Sequence, residues 1–183
     1  MLIVNCPSRE MLHRFSVGLL SEADSSDLAG LQNLTLVFEG GSDVISSFEV
    51  AGKDFGADLS GWTDNFALET LILGESDNGR IQLIDACKNQ PGWTGGEALY
   101  VSVLVLNAAN ITLSGLNLYY LNGTDPKQFF HGDADLDGDV DLADLGNLAG
   151  AYGLTSGATW AMGDFDGDGD VDLVDLGNLA TYY

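Results

Sequence analysis

Between Leu34 and Leu121 the chain runs as short apolar stretches, each closed by Gly, Asn, Asp or Ser. They are LTLVF (34–38), VISSFEV (44–50), FALETLIL (66–73), RIQLID (80–85), ALYVSVLVL (98–106) and NITLSGLNLYYL (110–121). Rich in β-branched and aromatic residues and bounded by turn formers, they predict strands. In the last stretch Ile111 and Leu113, then Leu116, Leu118 and Tyr120, share a face, with Gly115 shifting the phase. Such a series suits a β-sandwich or a β-solenoid. Upstream, Met11, Leu12, Phe15, Leu19 and Leu20 fall on one side of a helix over 10–20, and 21–27 reads as a loop. Downstream the period changes. Leu142, Leu145, Leu148, Ala149 and Tyr152 keep the spacing of a one-sided helix, and Leu173, Leu176, Leu179, Ala180 and Tyr183 repeat it. The expected fold is a mainly β N-terminal domain, solenoid fragment or sandwich, plus a small α-helical module. The expected division is an unassigned segment 1–33, a β-rich domain 34–123, a linker 124–132 in which Phe129 and Phe130 pack the two parts together, and the module 133–183.

The two helical stretches belong to a duplication. DADLDGDVDLADLGNLAGAY (133–152) and DFDGDGDVDLVDLGNLATYY (164–183) start 31 residues apart. Counted from the first Asp of each copy, acids fall at positions 1, 3, 5, 7, 9 and 12: Asp133, Asp135, Asp137, Asp139, Asp141 and Asp144, then Asp164, Asp166, Asp168, Asp170, Asp172 and Asp175. Gly138 and Gly169 hold position 6. This is the EF-hand calcium-loop plan, in which a large hard cation takes six to eight oxygens and position 7 gives its backbone carbonyl. Gly at position 6 permits the turn with positive φ. Val140 and Val171 at position 8 are placed to pair the loops through a short β-bridge. Two Ca²⁺ ions are expected. Mg²⁺ prefers fewer protein ligands, and zinc would want Cys or more His than the single His131 nearby. An acidic tail would need none of this register.

No helix is predicted before either loop: TDPKQFFHG is broken by Pro126, and GLTSGATWAMG is rich in Gly, Ser and Thr. A loop followed by a single helix, twice, with Asp at position 12, resembles a dockerin. The stretches GDADLDGDVDLADLGNL and GDFDGDGDVDLVDLGNL carry the resemblance, over residues 132–183. It implies a double F-hand that folds on two Ca²⁺ and docks to a cohesin-like domain. It also places partner-reading side chains at positions 10 and 11, here Leu142–Ala143 and Leu173–Val174, where the cellulosomal type often has small hydroxyl residues. The near-identity of the copies implies a pseudo-two-fold axis. More weakly, GGEALYVSVLVLNAANITLSGLNLYYLNG resembles the closing rungs of β-solenoids in large secreted bacterial proteins.

Charge narrows the partners. The formal net charge is −22, and residues 131–183 hold 12 acids and no Lys or Arg. Such a polyanion does not attract nucleic acid or anionic membrane, and no apolar run is long enough to span a bilayer. The start, MLIVNCPSREMLHRF, shows no basic-then-apolar leader. Calcium chemistry of this kind nonetheless belongs at the cell surface or outside, so the chain is expected to be a piece of a longer secreted protein. Cys6 and Cys87 either pair or remain thiols. No nucleophile–base, P-loop or metalloprotease motif occurs. Glu39, Glu49, Glu69, Asp85 and Glu97 lie in or beside strands, where two carboxylates at a set separation would serve glycoside hydrolysis. Trp62 and Trp93, in Gly-flanked loops, either stack on sugars or cover the end of a β core. The leading expectation is a non-catalytic, calcium-dependent docking protein; the alternative is a polysaccharide-degrading or carbohydrate-binding protein anchored the same way.

Overall fold

The computed structural model describes residues 11–15, 33–41, 44–88 and 90–183. Ten strands are found there: β1 (Met11–Phe15), β2 (Leu34–Phe38), β3 (Ile45–Glu49), β4 (Gly52–Lys53), β5 (Leu68–Leu73), β6 (Gly79–Ile84), β7 (Glu97–Leu106), β8 (Ala109–Thr112), β9 (Asn117–Asn122) and β10 (Asp125–Gln128). Two helices follow, α1 (Leu142–Ala151) and α2 (Leu173–Tyr182).

From β2 to β9 the chain passes back and forth between two sheets. One runs β1-β2-β5-β7-β9-β10, with β4 also paired to β7; the other runs β3-β6-β8. The ladders are parallel except β4/β7 and β9/β10. Matching residues sit in register: Thr35 faces Thr70, which faces Val103, while Ile81 faces Ile111. Parallel ladders bury their inward faces deeply. Leu36, Leu71, Leu73, Ile81, Leu83 and Ile111 are fully buried. A smaller aromatic cluster lies beside this core: Tyr100 stacks on Tyr119 at 4.9 Å, and Trp62 meets Tyr100 edge-on at 4.9 Å.

The expected fold class is corrected here. The sheets are parallel and mixed and the helices occur only toward the C-terminus, so the fold is mostly α/β rather than a mainly β domain plus a small helical module. No such module stands apart. One apolar cluster runs from Leu34, Leu71 and Ile111 through Tyr120 and Phe129 to Leu148, Trp160, Phe165 and Leu179. The physical reason is the poverty of each helix. Leu148 is the one fully buried apolar residue of α1, and Leu179 of α2. Helices of ten residues need outside packing to persist, and here the sheets supply it. The helix expected over 10–20 is also corrected in part: Met11–Phe15 is β1, paired parallel with Leu34–Phe38. A short apolar stretch does not by itself decide between helix and strand, and the free edge of β2 settles it. The remainder of that segment, the loop over 21–27 and Cys6 lie outside the described residues.

Burial along β5 gives a direct check. Leu71 is completely buried while Glu69, two positions earlier, is exposed. Leu71→Ala is expected to cost about 2–5 kcal/mol in equilibrium denaturation, and Glu69→Ala less than about 0.5 kcal/mol. Equal small effects would mean that Leu71 is not buried in the core.

Candidate metal centre

Each copy of the duplication closes into a loop through its last acid. Asp144 is the third residue of α1 and takes part in a reciprocal cap: Asp141 Oδ1 accepts from Ala143 N at 2.6 Å, and Asp144 Oδ2 accepts from Asp141 N at 2.8 Å. The other oxygen of Asp144 reaches back to the start of the loop and accepts from Ala134 N at 2.7 Å. The second copy repeats the arrangement. Val174 N donates to Asp172 at 2.7 Å, Asp172 N to Asp175 at 2.9 Å and Phe165 N to Asp175 at 2.7 Å. One carboxylate thus ties the loop's first turn to the helix N-terminus, where the macrodipole favours negative charge.

The first acid of each loop is held from inside. Asp133 accepts from Asp137 N at 3.1 Å, Gly138 N at 3.0 Å and the Tyr120 hydroxyl at 2.9 Å. Asp164 accepts from Gly167 N at 2.8 Å and Gly169 N at 3.0 Å. The position-6 glycines take φ of 97° (Gly138) and 92° (Gly169), a region that disfavours side chains.

These bonds bring most of the predicted acids into compact groups. Ligand oxygens of Asp133, Asp135 and Asp144 lie within 4.8 Å of one another, as do those of Asp139, Asp141 and Asp144; Asp164, Asp166 and Asp168; and Asp170, Asp172 and Asp175. Asp137 falls in none of these groups but accepts from Asp139 N. Asp133, Asp144, Asp164 and Asp175 are buried to 1% exposure or less. No Lys or Arg occurs after Lys127, which is itself paired with exposed Asp125 at 3.1 Å. Burial pushes the carboxyls of Asp133 and Asp164 up to about 6. Burial also raises Asp135, Asp166 and Asp170, whereas for Asp139 the neighbouring charge of Asp137 is the larger cause. One buried oxygen, Asp170 Oδ1, finds no hydrogen-bond partner among the described residues. Hard anionic oxygens in tight groups, two per copy buried without a basic partner, could hold a metal ion.

The duplication extends further upstream than the acidic pattern shows. Phe129-Phe130-His131-Gly132 corresponds to Trp160-Ala161-Met162-Gly163. Phe129 and Trp160 lie 5.3 Å apart, ring to ring. A Cβ on Gly132 would meet Leu179 Cα of α2 at 2.9 Å, and one on Gly163 would meet Leu148 Cα of α1 at 2.8 Å. Each lead-in strap therefore crosses the other copy's helix at a point that only glycine allows. The signal in the sequence was the Gly-Asp pair itself, its Asp four residues after an aromatic in both copies.

Several expectations are revised. Val171 pairs through N–H and C=O with Leu154 and Gly153, so the bridge from Val140 to Val171 is not formed. The helical stripe is only half inward: Leu148 and Leu179 are buried, but Leu142 and Leu173 are 71% and 69% exposed, and Tyr152 and Tyr183 face solvent. Phe129 packs into the shared core as expected, with 1% exposure. Of the strand acids, Glu49 is buried and accepts from Ala86 N and Cys87 N, and Glu39 accepts from Ser76. None of the strand acids joins the carboxylate groups found among the described residues. Trp62 covers Tyr100, and the Trp93 indole donates to Gly96 O at 2.9 Å. No helix among the described residues is long and apolar enough to cross a membrane. Compared with known proteins, the chain matches no protein-family model, no curated protein and no solved structure.

The raised carboxyls set a pH dependence. Asp133 and Asp164 titrate near 6 in the folded chain against about 3.9 unfolded, so the folded state holds their protons more tightly. That contribution to stability is complete below the unfolded value and is lost as pH rises through about 6. In a chelator-containing buffer, calorimetry should show the melting temperature falling between pH 5 and pH 7. A rise over that interval would contradict the assignment.

Proposed function

We propose that the chain binds two calcium ions in its duplicated loops and, so ordered, docks to a protein partner of the cohesin-like kind. The observation that carries this is the burial of four carboxylates, Asp133, Asp144, Asp164 and Asp175, in a segment with no basic side chain of its own. A buried ionised group without a counter-charge is strongly unfavourable, so the segment has either to hold protons or to hold cations. The loop spacing favours cations. Asp133, Asp135, Asp137 and Asp144 would hold one ion with the backbone carbonyl of Asp139 and oxygens from around Asp141. Asp164, Asp166, Asp168, Asp175 and their counterparts at Asp170 and Asp172 would hold the other. Calcium supplies the positive charge that lets the carboxylates stay ionised when buried.

The docking half rests on what the ordered loops expose. Leu142 and Leu173 begin the two helices at position 10, Val174 follows at position 11 with 54% exposure, and Met162, Tyr182 and Tyr183 are also open. Exposed large apolar side chains at the ends of ordered loops are suited to meeting a partner. The places of Leu142, Leu173 and Val174 coincide with positions 10 and 11, which the dockerin resemblance assigns to partner reading. Such use implies an extracellular or cell-surface setting, where calcium is abundant.

The test couples both halves. Saturating calcium at 100 times its Kd is expected to add about 2.7 kcal/mol per site, and calorimetry with a cohesin domain should show binding that chelator abolishes. Asp175→Ala should remove one ion and most of the calcium-induced rise in melting temperature, while Asp125→Ala, outside the loops, leaves both intact. Calcium uptake without any cohesin binding would keep the metal sites and discard this partner.

A further inference from the structure

The two loops are near-copies, and in each the carbonyl at position 4 accepts from an Asn side-chain amide, but only loop 1 is also tied to a strand through one of its acids. Loop 2 is held by its backbone: Asn78 Nδ2 donates to Gly167 O at 3.0 Å and Asn110 Nδ2 to Phe165 O at 3.4 Å. The approach there is so close that a Cβ on Gly167 would meet Ala109 O at 2.9 Å. This explains a difference between the copies. Gly167 at position 4 corresponds to Leu136, which keeps the same left-handed backbone (φ 55° against 72°) and whose carbonyl accepts from Asn122 Nδ2 of β9 at 3.1 Å.

Loop 1 is held through a ligand as well. Asp133 Oδ2 accepts from the hydroxyl of Tyr120 at 2.9 Å. Tyr120 is 2% exposed and lies in β9, with β7 paired on one side, where Val101 faces it, and β10 on the other, where Lys127 faces it. Its hydroxyl is therefore fixed by ladders on both flanks. A carboxylate has about four lone-pair directions. Gly138 N and Tyr120 fill two on Oδ2 and Asp137 N fills one on Oδ1, leaving Oδ1 with one still open. The backbone carbonyl of the same residue accepts from Trp160 Nε1 at 2.7 Å. In the second copy the position corresponding to Tyr120 is Ala151, which has no hydroxyl to offer, and Asp164 accepts from Gly167 N instead.

We propose that Tyr120 is a positioning residue for the first cation site: its hydroxyl, anchored in β9, holds the Asp133 carboxylate in its binding orientation and makes the two sites unequal. The proposal rests on the calcium reading of the loops. Groups that hydrogen-bond a metal-ligating carboxylate typically contribute about 10–100-fold in affinity.

The experiment is calcium titration calorimetry on the full chain and on Tyr120→Phe, Tyr119→Phe, Asp175→Ala and the Asp175→Ala/Tyr120→Phe pair. Tyr119 is the adjacent buried tyrosine of β9, and its hydroxyl donates to Asp54 at 2.9 Å, away from the loops. Tyr120→Phe should weaken one of two ions about 10–100-fold and leave the other unchanged; in the Asp175→Ala background the surviving ion should weaken by the same factor. Tyr119→Phe should change neither. The proposal falls if Tyr120→Phe moves both sites equally or neither, or if Tyr119→Phe weakens the same site as much. It also falls if Tyr120→Phe alone loses its sheet signal in far-UV circular dichroism, because the phenol is then part of the fold. No uptake by the unsubstituted chain would sink the calcium reading itself, an outcome distinct from all of these.

Discussion

The structure of the C-terminal third depends on four carboxylates that are buried with no basic side chain to meet them. Everything around them is arranged to make that burial tolerable. Backbone N–H groups converge on Asp133 and Asp164 from inside the loops, and Asp144 and Asp175 sit in the first turns of α1 and α2, where the helix dipole favours negative charge. Hydrogen bonds and dipoles offset part of the cost; the raised carboxyls of Asp133 and Asp164 show that a remainder is left. A bound cation would remove it, and this deficit is the physical ground on which the calcium proposal stands beside the loop spacing.

The two copies are also mechanically dependent. Gly132 lies against α2 and Gly163 against α1, so each loop's lead-in packs on the other copy's helix. Trp160 joins the copies again, packing on Phe129 and Phe165 while its indole donates to Asp133 O. The same aromatic group continues into the sheets through Tyr120 and Ile111. Loops, helices and the ends of β8 and β9 therefore share one core, and ordering of the loops is expected to be felt in the strands.

Much of this was legible in the residues. The strands between Leu34 and Leu121 announce themselves by apolar stretches between turn formers, and the loops by Asp at alternate positions with Gly at position 6. What stayed hidden is long-range. Leu142 and Leu173 look inward by spacing but lie outward, because a helix start that doubles as loop end is oriented by Asp144 and Asp175 rather than by its apolar stripe. The separate helical module was an error of the same kind: spacing shows that α1 and α2 are amphipathic, not which surface they cover. Periodicity over 10–20 suggested a helix, and pairing with β2 made Met11–Phe15 a strand. Tyr120 and Trp160 carried no local mark of their link to Asp133, since the contact joins positions far apart in the loop pattern.

The most direct measurement is calcium binding to the whole chain at neutral pH, counted by equilibrium dialysis against a radioactive or atomic-absorption standard. Two ions per chain, with affinity that declines as the solution is taken below pH 6, is the expected result, because protons and calcium compete for the same buried carboxylates. Fewer than one ion per chain at millimolar calcium would contradict it and leave the loops as protonated, self-capped turns.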